Sequence, residues 1–540
     1  IVKYMVQNAL GAQWLATYPD SPLKAQMAYY IQPAEQPAEA KAQLAAITPG
    51  TLDPEDLTLI DPACGSGHIL VEAYELFKAI YLERGYRQRD VAQLILEKNL
   101  YGLDIDERAA QLTGFALMMK GRADDRRLLE RGVKLNVMAL VDSAGFDAED
   151  LAKGVVLGEY GLKPEDLTEL KLLFEHATTF GSLIQVPDGL AKKLPALKEL
   201  SEWGSQDLFV AEAIKRLGPL VQQADLLAAQ YDAVVANPPY MGSGGMNTTV
   251  KKFAKDNFSN AKSDLFACFI ERGYGLSKEV GHNSMVTMES WMFLSGYESF
   301  RNSVLRQHTL RNLAHFPYDG KQPTAMGINF GIAVVSAQNT PILGYRGHYC
   351  CSRYFELRDD GVPREFPTAN ERLNTVSSTE FAKIPGSPVA YWVSDAVRLG
   401  FESGDSLGSY FDTRLGMSTA NNDGFVRDWC EVAHGSIHFD AESREDALTE
   451  RRRWFPYQKG GPFRKWYGNN WLVVDWENDG ARIRSFGAET GKVRSHNYNL
   501  DYIFRRGITW TDVTSARNAF RWMEEGYLFD GRGSSGFSSA

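Results

Sequence analysis

The 540 residues predict an α/β fold with a mostly parallel sheet covered by helices on both faces, followed by a second, strand-rich domain. Apolar, β-branched runs alternate with segments of helical periodicity. Those runs are apolar without a polar side, as strands buried on both faces are. Near residue 411 the texture changes to short strands with many glycines and aromatics, which places a domain boundary.

Residues 1–56 read as helical, with "IQPAEQPAEAKAQLAA" as a solvated loop or linker. The core, 57–340, opens with a strand over Leu57–Asp61, the turn "DPACGSG", and a helix from about His68 with Ile69, Ala73, Leu76, Phe77 and Ile80 at helical spacing. "NLYGLDIDERAAQLTGFALMMK" repeats strand and helix, and "VKLNVMALVD" is a third apolar strand. A charged insert with helical patterns spans about 145–225 and contains "TTFGSLIQVP". "YDAVVANPPY" is the next strand. "GHNSMVTMESWMFL", "TLRNLAHFP" and "INFGIAVVSA" bring the expected sheet to seven strands by about residue 340. Residues 341–410 are a connecting region, and 411–540 the second domain.

Composition bounds the function. Hydrophobic content of 44% and charged content of 23% are those of a globular chain, and the length predicts two or three domains. No apolar run of about 18 residues implies a membrane span. "IVKYMVQNALGAQWL" reads as an amphipathic helix rather than a signal peptide, and a chain opening on Ile1 is expected to be an internal piece of a longer one. The cysteines (Cys64, Cys268, Cys350, Cys351, Cys430) are odd in number and lack C-x-x-C spacing. That argues against disulfides and structural zinc, predicts no metal, and fits a reducing cytoplasm. Cys350 and Cys351 read as ordinary strand residues.

A net charge of −10 argues against a nucleic acid partner until its distribution is considered. Residues 451–540 hold 15 Lys plus Arg against 9 Asp plus Glu, and six of the 11 tryptophans: Trp454, Trp466, Trp471, Trp476, Trp510 and Trp522. Basic residues interleaved with aromatics suit phosphate contact and base stacking. A strand-rich domain with a solvated face fits the same pattern.

In "DPACGSG", Asp61–Gly67, glycines allow a tight turn and close approach of a ligand to the backbone. The spacing departs from the G-x-G-x-x-G that cradles a pyrophosphate. Asp61 closes the strand where an anion would be repelled and an ammonium favoured. The second strand ends in "GLDID", and Asp104 there can accept both hydroxyls of a ribose. An ammonium, a ribose and a glycine turn together point to S-adenosylmethionine. A strand-to-helix turn with an N-cap aspartate is the structural alternative.

"DPACGSG", then "YGLDID", then "NPPY" resembles the amino-methyltransferases that act on adenine in DNA, in their gamma-type order. The resemblance implies a Rossmann-like, S-adenosylmethionine-dependent fold. It implies that Asp61, Pro62 and the backbone of Ala63, Cys64, Gly65, Ser66 and Gly67 hold the methionine portion of the cofactor, that Asp104 takes the ribose, and that Ile105 packs on its adenine. Asp142 in "ALVDS" and Ser182 in "FGSLIQ" compete for the adenine edge. The family's F-x-P motif would precede Ile1.

The same resemblance makes "NPPY" the catalytic corner. An adenine amine is a poor nucleophile because its lone pair is delocalised into the ring. Acceptors on its two N–H bonds, the Asn237 side-chain carbonyl and the Pro238 backbone carbonyl, free that pair. Pro238 and Pro239 hold the corner rigid before substrate arrives. The base must be flipped out of duplex DNA, to lie between Tyr240 and a second surface such as Phe330. Cys64 has no histidine partner and reads as a small turn residue, not a nucleophile.

"RLGMSTANNDGFVRDWCEV", "YQKGGPFRKWYGNNWLVVDWENDG" and "GITWTDVTSARNAFRW" resemble the start of the target-recognition domain in large single-chain adenine methyltransferases, and more narrowly the PglX family of BREX phage-defence systems. Double-stranded DNA and other BREX proteins are the partners so implied. Lys459, Arg464, Lys465, Tyr467 and Arg517 are the candidate DNA contacts, with Asn421, Asn422 and Arg521 as further possibilities, and fold-stabilising ion pairs or turns as the competing reading. Two other functions stay open. "NPPY" also occurs in enzymes that methylate a glutamine amide in proteins. Alternatively the chain is a DNA- or partner-binding defence component active only in a complex.

Overall fold

The computed structural model describes residues 1–540 apart from 319, 321–328, 359–361, 368–369, 513–516 and 539–540. Ile328, at the head of an expected strand, and residues 513–516 of an aromatic segment therefore lie outside the described residues. The chain divides into two compact units, Ile1–Glu402 and Ser403–Ala540, eight residues earlier than the change of texture places it.

The first unit is built on strands β1 (Leu59–Asp61), β2 (Leu100–Asp104), β3 (Asn136–Ala139), β4 (Tyr231–Ala236), β5 (Ser277–Met288), β6 (Thr309–Phe316), β7 (Ile332–Gln338), β8 (Arg346–Cys351) and β9 (Asn374–Ser377). Among the described residues they form one nine-stranded sheet in the order β3-β2-β1-β4-β5-β7-β6-β8-β9. The first five in that order run parallel, and β7 is antiparallel to both its neighbours. The expected count of seven is corrected to nine. The extra strands, β8 and β9, lie in the stretch expected to be a connection. They are short and mixed in polarity ("RGHYCC", "NTVS"), and sit at the sheet's end, so neither carries the apolar run of a central strand.

Alternation along β4 shows why these residues make a two-faced sheet. Val234 and Ala236 join one core with Leu103, Met285 and the insert helices. Ala233 and Val235 join the other with Leu59, Val286 and the helix His68–Glu83. Successive side chains of a strand point to opposite faces, and each buried Leu or Val is worth about 1.5–3 kcal/mol. The N-terminal residues Tyr4, Met5 and Trp14 belong to the second core. "AEAKAQLAAI" is a helix, Ala38–Ile47, and not a loop. Its Ala, Glu, Lys, Gln and Leu are strong helix formers, and the prolines lie upstream of it. Between β3 and β4 the insert folds into helices including Ala148–Gly154, Pro164–Leu173, Leu194–Ser201 and Leu208–Ala228. No helix of the described residues is long and apolar enough to cross a membrane.

From β1 the chain moves outward to β2 and β3, then crosses back to β4 on β1's other side. Connections that diverge from adjacent parallel strands leave a crevice at their carboxyl ends, where ligands bind in open α/β sheets. Leu59 pairs with Ala233 and Ile60 with Val234, so "DPACGSG" and "NPPY" leave the sheet side by side.

The second unit is β-rich. Strands β10 (Phe411–Arg414), β11 (Val426–Asp428), β12 (Trp454–Gln458), β13 (Leu472–Asp475), β14 (Gly507–Thr509), β15 (Arg521–Met523), β16 (Leu528–Phe529) and β17 (Ser535–Ser538) form two four-stranded sheets. Phe455, Tyr457, Val474, Trp476 and Phe529 are in their core.

Candidate active site

At the end of β1, Asp61 is buried and its Oδ1 accepts the Ala63 N–H at 3.1 Å. Burial pushes its carboxyl up to about 8; that hydrogen bond opposes the shift and the Asp104 charge adds to it. Gly67 closes the turn at φ +83°, where a Cβ would lie 2.9 Å from Thr113 Oγ1 and 3.1 Å from Thr113 Cα, so backbone and space both demand glycine. Thr113 donates to the Gly65 carbonyl at 2.8 Å, tying the turn to the helix Glu107–Asp124. Asp104 accepts the Gly65 N–H on one oxygen at 2.8 Å and the Asp106 N–H on the other at 2.9 Å. The Cys64 N–H donates to the Leu103 carbonyl at 2.9 Å. The glycine turn and the end of β2 are thus one hydrogen-bonded unit. The helix after the turn starts at Gly67 without a side-chain cap, so Asp61 does not cap it. Cys64 is buried, and burial above all pushes its thiol up to about 12, which suits packing and not nucleophilic attack.

At the end of β4, Asn237 and Pro239 are exposed, Pro238 is buried and Tyr240 is half-buried. The Tyr240 hydroxyl donates to Asn237 Oδ1 at 3.3 Å. Burial, with the Asp264 carboxylate adding to it, raises that hydroxyl well above its ordinary value, so it stays a donor. The Met241 N–H donates to Asp264 Oδ1 at 3.0 Å, and the Leu265 N–H to the Met241 carbonyl at 3.1 Å. Asp264 also caps the helix Leu265–Leu276. The corner is therefore pinned to a helix N-terminus. Tyr240 and Phe330 meet edge to face, with centroids 5.6 Å apart at 80°. The two rings are thus in direct contact at this corner.

A cavity of about 330 Å³ joins the two strand ends. Pro62, Ala63, Asp104 and Ile105 line it from the first two strands, and Asn237 and Pro239 from β4. Ile105 is 53% exposed for so apolar a residue. It faces Gly181, where a Cβ would come within 3.0 Å of Ile105 Cγ2. Asp61, Cys64, Gly65, Ser66, Gly67, Pro238 and Tyr240 shape the turns but are not in this wall. Of the two candidates for the adenine edge, Ser182 lines the cavity and donates to the Pro62 carbonyl. Asp142 instead accepts the Thr178 N–H and hydroxyl at 2.8 and 2.9 Å and holds the turn that carries Phe180.

Sequence reasoning missed three residues here. Phe180 and Phe253 stack at 4.0 Å and 11° in the cavity wall. They lie far apart in the chain; Phe180 opens the stretch "FGSLIQ", but nothing local pairs it with Phe253. Arg272 is buried and donates through Nε to the Ser182 carbonyl at 2.9 Å and through Nη2 to the Leu227 carbonyl at 2.7 Å. Its signal was legible: a lone arginine in the apolar stripe Leu265, Phe269, Leu276 of one helix.

In the second unit, Arg464, Lys465, Tyr467 and Arg517 are exposed. Trp466 is 68% exposed, and Lys465 Nζ lies 4.9 Å from its ring. Lys459 is partly buried beside Asp530 at 4.0 Å, an ion pair within the fold. Arg521 is buried in β15, which removes it from the candidate surface. Asn421 caps a turn by accepting the Gly424 N–H, and Asn422 accepts the Thr419 hydroxyl.

Two family models cover the crevice. The Eco57I restriction-modification methylase matches residues 98–322, and the DNA-methyltransferase domain of MmeI matches 42–140, which defines the class as a restriction-modification methylase domain. The chain is 45% identical to the adenine-specific methyltransferase BrxX of Escherichia coli O9:H4 (strain HS), over 99% of this chain and 45% of that protein. It is 36% identical to the adenine-specific methyltransferase PglX of Lacticaseibacillus casei (strain Zhang), over 100% and 46%. The chain belongs to this BrxX and PglX family, and spans a little under half the length of these two relatives. Among solved structures, the restriction-modification enzyme MmeI in complex with DNA aligns at 11% identity and TM-score 0.46, over 98% of this chain and 60% of that one.

Proposed function

We propose that the chain is the catalytic part of a site-specific DNA adenine methyltransferase that uses S-adenosylmethionine and marks self DNA in a BREX-type defence system in the cytoplasm, together with other BREX proteins. One observation carries the reading: the acidic end of β2 and the Asn-Pro-Pro corner of β4 line a single cavity. The wall fits the cofactor. Asp104 keeps lone pairs beyond its two backbone bonds for ribose hydroxyls. Ile105 and the Phe180–Phe253 pair offer apolar faces to an adenine. Asp61, outside this wall and next to Asp104, favours a cationic ligand when its carboxyl is ionised. When bound, S-adenosylmethionine supplies an electrophilic methyl carbon on a sulfonium.

The chain's own residues do the rest. Asn237 Oδ1 and the Pro238 carbonyl accept the two N–H bonds of an extruded adenine amine and free its lone pair. Tyr240 holds the Asn237 amide in place through its hydroxyl and offers its ring to the base. No general base is assigned, because the proton leaves after the nitrogen has become cationic. In many active sites, fixed acceptors aimed at developing charge lower the barrier more than any other single effect. Exposed Arg464, Lys465, Trp466 and Tyr467 are proposed to contact DNA in the second unit.

The test is transfer of labelled methyl groups by the full-length protein, offered duplex DNA and, separately, a protein extract. Label in adenine of DNA, lost on Asn237→Ala, is the expected result. Label in protein alone would replace this reading with glutamine-amide methylation.

A further inference from the structure

The helix that follows the Asn-Pro-Pro-Tyr corner, Thr248–Asn257, has two unlike faces. Val250, Phe253 and Ala254 line the cavity shared with Asn237 and Asp104, and Phe253 stacks on Phe180. At 100° per residue, Lys251, Lys252 and Lys255 point away from that stripe, and Lys262 follows in the next turn. All four are exposed, and none is ion-paired with a carboxylate among the described residues. Asp256 is the sole acid in the helix. The link from the corner, residues 241–245, is exposed and contains Gly242, Gly244 and Gly245.

We infer that this helix is a DNA-phosphate grip at the mouth of the catalytic cavity, and that its two faces couple DNA binding to occupancy of the cavity. The inference rests on the function proposed above. A base that enters a cavity walled by Val250 and Phe253 brings its own sugar and phosphates to the cavity rim. The rim element next in the chain after Asn237–Tyr240 is this helix. Four unpaired ammonium groups there complement a phosphate backbone, and each phosphate they neutralise releases counterions from DNA. Because three of the four lysines share a ten-residue helix with the cavity-lining side chains, a ligand that fixes one face fixes the other. Coupling of this kind is reciprocal: duplex DNA tightens cofactor binding by the same factor by which cofactor tightens DNA binding.

The experiment measures duplex DNA affinity of the full-length protein across a salt series, with and without S-adenosylmethionine. It compares the wild type with a quadruple variant (Lys251→Gln, Lys252→Gln, Lys255→Gln, Lys262→Gln) and with a control on the insert (Lys192→Gln, Lys198→Gln). The quadruple variant is expected to lower the slope of log affinity against log salt by about 0.9 for each phosphate no longer neutralised, and to weaken binding about tenfold or more at low salt. The control leaves the slope unchanged. Cofactor affinity without DNA, retained in the quadruple variant, verifies the fold. Phe253→Ala is expected to leave the salt slope intact and abolish the mutual tightening. An unchanged slope in the quadruple variant overturns the inference, as does an equal fall in the control. Weakened binding of poly-glutamate with DNA affinity intact would likewise overturn it, in favour of an acidic protein partner. Absence of methyl transfer to DNA by the wild type would count against the proposed function instead, and the slope would still report on the helix.

Discussion

The crevice between β1 and β4 and the aromatic face of the second unit were both expected to carry function, and they are built in opposite ways. In the crevice the polar groups are committed before any ligand arrives. Asp104 already holds two backbone N–H groups, Thr113 holds Gly65, and Tyr240 holds Asn237. In the second unit the positive charge was expected to be free, and much of it is spent internally. Arg453 and Arg482 pair with Asp475, Arg444 and Arg484 with Asp479, and Lys459 with Asp530. What protrudes there is aromatic: Phe463, Trp466, Tyr467, Phe520 and Trp522. A local excess of lysine and arginine thus says less about a binding face than a few cations without partners.

The comparison breaks most readily at Asn237. Asn237→Ala is expected to cut methyl transfer by about 10²–10³-fold with cofactor affinity kept, the magnitude of removing one fixed transition-state partner. Single-turnover rates check it, and a wild-type rate would remove the crevice from catalysis. Next in size is Asp104→Ala, which removes a ligand contact and orphans the Gly65 N–H together. Hydrogen bonds to a charged group are worth about 1.5–3 kcal/mol, so calorimetry should find cofactor affinity lowered at least about tenfold. Trp466→Ala sharpens the other side: stacking of one base is worth about 1–3 kcal/mol, so single-strand or bubble DNA affinity should fall while cofactor affinity stays. Lys459→Gln should alter DNA binding little, because its charge already faces Asp530.

The smallest effects are in pH and support. A carboxyl raised to about 8 is protonated below that value, and a cationic ligand prefers it ionised. Cofactor affinity is therefore expected to climb as pH rises toward about 8 and then level, with Asp61→Asn flattening the profile. The stability effect has the opposite sign. The raised value means that the folded, unliganded chain binds a proton the unfolded chain has released. That contribution is present below the ordinary carboxylate range and is lost as pH rises through about 8. Arg272→Leu leaves the Ser182 carbonyl without its donor and is expected to raise the cofactor KM severalfold with kcat nearly intact. Arg272→Lys should restore part of the loss.

What the sequence disclosed follows the same division. The order strand, glycine turn, helix, acidic strand end and proline corner was legible because each link is local, and pairing of β1 with β4 then brings Pro62, Ala63, Asp104, Ile105, Asn237 and Pro239 to one wall. Strands β8 and β9 were not legible, because a short strand at the end of a sheet lacks a two-sided apolar run. Helix Ala38–Ile47 was hidden by its proline neighbours. Phe180 and Phe253 were hidden because their pairing joins the insert to the helix after β4, a contact between segments some seventy residues apart. The surface candidates were least legible of all, since a side chain's partner in three dimensions decides whether Lys459 or Arg464 is free.

The insert between β3 and β4 is more than an appendage. Gln223, on its last helix, exchanges hydrogen bonds with both backbone groups of Val141, at 2.9 and 3.0 Å, while Gly181 and Ser182 return to the cavity in mid-course. Its helices bury Leu151, Leu167, Leu197 and Leu217 in the same core as Val234 and Ala236, and that packing carries the midpoint to Ile105. Excising the block whole would therefore strip one side from the cavity and uncover a face of the sheet.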